Sequence, residues 1–84
     1  MHKHIPPFDA CLGATLRQWR HAQHKTLGQV AAASKCSLGY LSEVERGHKQ
    51  PTAHMMSNIC YALGHRLSDL IHETATQLDH DYGL

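Results

Sequence analysis

A chain of 84 residues with 42% hydrophobic and 18% charged residues is one small globular domain, not a disordered segment, and its modest core would profit from self-association. A net charge of +1 excludes a uniformly basic nucleic-acid binder. No apolar run approaches the ~20 residues of a membrane span, and "MHKHIPPF" lacks the apolar core of a signal peptide.

Strand signals are weak, with few β-branched residues and no useful period-2 alternation, whereas helical periodicity recurs along the chain. Residues 1–10 are expected to be a flexible arm, residues 11–78 an all-α domain of five helices, and residues 79–84 a flexible acidic tail. Leu12, Leu16 and Trp19 form one stripe of a first helix over about Cys11 to Gln23. Thr26 can cap a second helix whose Leu27, Val30, Ala31 and Ser34 share a face. After the short "KCS" connection, Ser37 can cap a third, with Tyr40, Leu41 and Val44 pointing one way and Gly47 as its stop. The "HKQPT" loop supplies Thr52 as the next cap. Ala53, Met56, Ile59, Cys60 and Leu63 cluster on the fourth helix, which Gly64 ends. Ser68 opens a fifth, with Leu67, Leu70, Ile71, Thr74 and Leu78 on one side.

The small net charge hides a polarity. Cys11 to Gln50 carries six basic residues against Glu43 and Glu45, whereas everything after Arg66 carries four acidic residues and no lysine or arginine. One end suits phosphate and the other suits solvent or a partner.

The second and third helices, joined by about three residues, read as a helix-turn-helix, although any small helical bundle has short turns. The stretch from Thr26 to Leu70, "TLGQVAAASKCSLGYLSEVERGHKQPTAHMMSNICYALGHRLSDL", resembles the lambda-repressor-like domain of Cro/cI repressors and XRE-family regulators. With "LRQWR" before it, the likeness spans about Leu12 to His72. It rests on Ala31, Ser37, Leu41, Val44 to Gly47, Pro51, Ile59, Ala62 to Gly64 and Leu67 in combination. "GYLSEVERG" and "TLGQV" are most similar to actinobacterial activators of Clp protease genes. Two residues depart from the family pattern. Lys35 stands where glycine is common, which would strain a left-handed turn. Leu27 replaces a common glutamine.

The resemblance implies a sequence-specific transcription regulator, either repressor or activator, that binds double-stranded DNA in the major groove. The expected form is a homodimer on an inverted-repeat operator, with half-sites about 34 Å apart. On a helical projection Leu38, Gly39, Ser42 and Glu43 face outward as base-reading candidates. Leu38 suits a thymine methyl, the alternative being a core or stray surface leucine, and Glu43 suits the cytosine N4 amino group, the alternative being a solvated helix charge. Thr26, Lys35, Ser37, Arg46, His48, Lys49 and Gln50 are the candidates for phosphate contacts, which hold the register. The resemblance further implies that Glu45 pairs with Arg20 on the first helix. Leu70, Ile71, Thr74 and Leu78 are the expected dimerisation residues.

Other chemistries find less support. The nine histidines, including His21 with His24 and His2 with His4, show no metal-ligand spacing, so no metal or other cofactor is expected. Cys11, Cys36 and Cys60 form no CxxC, which fits a reduced, cytoplasmic setting, and the resemblance implies association with the nucleoid; Cys36 and Cys60 read as core and Cys11 as the more exposed. No glycine-rich phosphate loop or activated nucleophile marks an enzyme, and no catalytic residue is assigned. The rival reading is an antitoxin or adaptor that holds a toxin or other protein partner while also binding its own operator.

Overall fold

The computed structural model describes residues 4–83. They form α1 (Pro7–Ala22), α2 (Leu27–Ser34), α3 (Leu38–Glu45), α4 (Ala53–Ala62) and α5 (Leu67–Tyr82), with no strand among the described residues. Three helices start on hydroxyl caps. Thr26, Ser37 and Thr52 accept hydrogen bonds from the backbone N–H groups of Gln29, Tyr40 and Met55 at 3.0–3.1 Å. Gln29 completes a capping box by accepting from the Thr26 N–H at 2.8 Å. Each such cap stabilises its helix by about 1 kcal/mol.

Helix ends repeat one device. After α1, α2, α3 and α4, a residue in the left-handed region turns the chain: His24 at φ 54°, Lys35 at 60°, Gly47 at 78° and Gly64 at 73°. At each stop the next N–H reaches back five residues, from Lys25 to Arg20, Cys36 to Ala31, His48 to Glu43 and His65 to Cys60, over 2.8–3.1 Å. With a second bond from the left-handed residue's own N–H to the carbonyl three residues back, this closure satisfies carbonyls that the helix would otherwise leave open. Lys35, the residue foreseen to strain the turn, does adopt the left-handed conformation that glycine tolerates better.

Leu12 and Leu16 of α1, Val30 and Ala31 of α2, Leu41 and Val44 of α3, Ile59, Cys60 and Leu63 around α4, and Leu70 of α5 close one core. Two glycines permit close approach. A Cβ on Gly13 would overlap the Val44 and Glu45 carbonyl oxygens, so α1 lies directly on the α3 backbone there. A Cβ on Gly47 would meet Ile5 Cγ2 at 2.8 Å, which places the N-terminal segment against the end of α3.

The structure corrects several expectations. Helix α1 starts four residues before Cys11, because Pro7 at its first position is pre-set for helix and Asp9 favours the first turn. The segment 7–10 is therefore helix rather than arm, and residues 79–82 continue α5 rather than forming a loose tail. The remaining ends of the expected arm and tail, residues 1–3 and 84, lie outside the described residues. Cys11 is buried rather than exposed, since the extended α1 packs along α5. Ala53 is exposed at the start of α4 and not part of its inner cluster. Helix α5 opens at Leu67, where the Asp69 carboxylate accepts from the Arg66 N–H at 2.9 Å, and Ser68 does not cap it. Leu70 and Thr74 are fully buried within their own chain, so neither is available to a second copy. The Thr74 hydroxyl finds no hydrogen-bond partner among the described residues.

Candidate nucleic-acid interface

Helix α3 has an inner and an outer face. Leu41 and Val44 are fully buried and fasten it to the core. Leu38 is 55% exposed, with its Cδ1 lying over Gly28 of α2. A Cβ at Gly39 would meet nothing within 4 Å, so the backbone itself lies open there. Ser42 and Glu43 are half-buried at the edges of this face. The four residues expected to read bases thus occupy one surface of α3.

The flank beside Ser42 is a shallow groove lined by Arg17, Arg20, Leu27, Ser42, Glu45 and Arg46. Arg46 folds back along α3, with its Nε 3.4 Å from the Ser42 carbonyl. Arg17 brings a second exposed guanidinium to this groove and was missed as a candidate. Its signal was there: Arg17 precedes Arg20 by three residues, which puts both on neighbouring positions of the α1 surface. His48, Lys49 and Gln50 follow α3 and are exposed, as are Thr26 and Ser37 at the starts of α2 and α3. Lys35 lies apart from Arg17 and Arg46, lining a groove with His54, Asn58 and Tyr61 where α2 meets α4.

Arg20 and Glu45 make a bidentate pair, Nε to Oε2 at 2.8 Å and Nη2 to Oε1 at 2.9 Å, with side chains only 12% and 7% exposed. Its remaining nitrogen, Nη1, donates to the Lys25 carbonyl at 3.0 Å. The hydrogen bond to Glu45 raises the guanidinium pKa further, against the opposing effect of burial. The turn after α1 in its turn closes the far end of α4, with Gln23 Nε2 donating to the Leu63 carbonyl at 2.6 Å and Lys25 Nζ to the Ala62 carbonyl at 3.1 Å. Trp19 stacks on the His65 ring at 3.7 Å on the same side. Helix α3 therefore sits on a braced platform.

Burial pushes all three thiols up, Cys60 to about 11, the direction opposite to that of an activated cysteine. Among the described residues no three histidine, cysteine or carboxylate side chains converge as metal ligands; His2 lies outside them. No described helix is long and apolar enough to cross a membrane.

A braced, two-faced helix preceded by a helix and a left-handed turn is the arrangement that known families can be compared with. A family model described as a helix-turn-helix domain matches residues 12–70. The chain belongs to this family. Within it the chain is of the XRE, Cro/cI type and related to regulators of clp genes. It is 48% identical over 52 residues to the transcriptional regulator ClgR of Mycobacterium tuberculosis, a match covering 62% of this chain and 46% of that protein. The chain thus spans about half the length of the curated relatives it matches. The crystal structure of the clp gene regulator ClgR from Corynebacterium glutamicum superposes with a TM-score of 0.87 at 36% identity, covering 95% of this chain and 85% of that one. The restriction-modification controller protein C.AhdI from Aeromonas hydrophila shares the fold, with a TM-score of 0.71 at 24% identity.

Proposed function

We propose that this chain binds double-stranded DNA sequence-specifically as a transcription regulator in the cytoplasm. In this reading α3 enters the major groove, and a second copy binds the other half of an inverted repeat. The observation that carries the reading is the outer face of α3, where Leu38 and Gly39 stand uncovered while Leu41 and Val44 hold the helix from behind. Major-groove reading needs a helix presented in this way. Arg17, Arg46, His48, Lys49 and Gln50 flank the face and supply the phosphate contacts that fix register, with Thr26 and Ser37 at the helix starts and Lys35 further out. Relatives named as transcriptional regulators support the same activity for this chain.

The dimer surface belongs to α5, but not to Leu70 or Thr74. Ile71 is 43% and Tyr82 46% exposed, and with Ala75 and half-buried Leu78 they follow a 4-3-4 spacing along one flank of the helix. That spacing keeps a seam in register between two helices.

Selection of bound duplexes from a random pool, using the 84-residue chain, tests both parts. A two-fold symmetric motif with half-sites about one helical turn apart is the expected result. Recovery of no preferred sequence would overturn the regulator reading, and a single unrepeated half-site would overturn the dimer.

A further inference from the structure

Lys49 is placed by the fold against the reading face, not away from it. The left-handed stop at Gly47 reverses the chain, and the His48 N–H bonds the Glu43 carbonyl at 2.8 Å, so the loop returns alongside the last turns of α3. Lys49 Nζ then lies 3.6 Å from Glu43 Oε2 and 5.8 Å from the centre of the Tyr40 ring. Tyr40 and Glu43 are three residues apart on the helix, so the ammonium meets both along one flank. Tyr40 is half-buried and gives the lysine a fixed base, the ring face attracting the cation.

A glutamate on an open helix surface samples several rotamers, and ordering one of them on binding costs free energy. An ammonium 3.6 Å from one carboxylate oxygen biases the side chain towards one orientation beforehand, while the other oxygen keeps lone pairs for a donor such as the cytosine N4 amino group. The neighbouring ammonium also offsets the repulsion between Glu43 and DNA phosphates.

We infer that Lys49 is a positioning residue for base recognition, which orients and screens Glu43 from its seat on Tyr40, in addition to any phosphate contact. This rests on the regulator reading above. It differs from a pure phosphate contact in what its loss would do: sequence preference would change, not merely affinity.

The test is selection from a random duplex pool with the wild type, Lys49→Ala, Lys49→Arg and Glu43→Ala, each checked for an unchanged melting temperature. Lys49→Ala is expected to relax discrimination about 5- to 10-fold, at the same base pair that Glu43→Ala affects. Lys49→Arg, which keeps both the charge and the seat on the ring, should restore it. The double variant should discriminate no worse than Glu43→Ala alone. If Lys49→Ala weakens all sequences alike with the preference intact, or if Glu43→Ala leaves the preference unchanged, the positioning role is overturned while the regulator reading stands. Failure of the wild type to select any sequence would overturn both, a visibly different result.

Discussion

Glu43 and Glu45 stand two residues apart on one short helix, about 200° around its axis, and the fold treats them as different chemical objects. Glu45 faces α1 and is clamped by Arg20 with both side chains nearly covered; Glu43 faces outward and meets Lys49 at 3.6 Å with both side chains substantially exposed. Low polarity and two aligned hydrogen bonds make the first pair costly to break from one side. Water and side-chain entropy leave the second with little to contribute to stability. The inner glutamate holds the helix in place, and the outer one stays open to solvent beside Lys49.

The comparison can be broken most forcibly from the inside. Arg20→Ala strands the Glu45 carboxylate against α1 and should cost about 3–5 kcal/mol, read as a drop in melting temperature of roughly 12 °C or more. A drop within a few degrees would show that the pair is wetter than its geometry implies. Gly13→Ala attacks the same face without touching a charge. Its methyl would overlap the Val44 and Glu45 carbonyls, so a loss of about 1–3 kcal/mol is expected in denaturant unfolding.

Smaller changes sharpen the outer side. His24→Gly and Lys35→Gly relieve left-handed residues and should each raise stability by up to about 1 kcal/mol. Only the lysine change removes a cation from the proposed DNA-facing half, so a loss of duplex affinity confined to Lys35→Gly would separate the two effects. Glu43→Ala should move stability by no more than about 0.5 kcal/mol, in contrast to Glu45→Ala, which should resemble Arg20→Ala. The slightest effect concerns acid. Asp69 has a lowered pKa because it accepts the Arg66 N–H, with Arg66 and His65 adding their charge. A carboxyl depressed in the folded state contributes stability above its unfolded value and loses it as pH falls through the folded one. Asp69→Asn should therefore flatten the acid limb of a melting-temperature profile below about pH 5.

Much of this was legible in the chain itself. Thr26, Ser37 and Thr52 announced three helix starts, Gly47 and Gly64 two stops, and the apolar period marked Leu41 and Val44 as the inner side of α3. Exposure of Leu38 followed from the same period. The ends were harder to read. Terminal position suggested an arm over residues 1–10, where Pro7 in fact opens a helix, and nothing local to Cys11 signalled that α5 would run long enough to cover it. Leu70 and Thr74 carried the right character for a partner surface but the wrong phase, a difference of one helical position from the exposed Ile71 and Ala75.

By itself the sequence determined the local matters: five helices, the hydroxyl caps of the middle three, the apolar side of most, and the family to which the pattern belongs. These depend on residues within a few positions of one another, where backbone geometry and periodicity suffice. Only the tertiary structure decided which apolar flank of α5 remained open, that Arg17 joins the groove beside Ser42, and that Lys49 returns onto Tyr40 and Glu43. Such outcomes depend on how helices distant in sequence cross and on where a turn aims the chain, neither of which any short window of residues encodes.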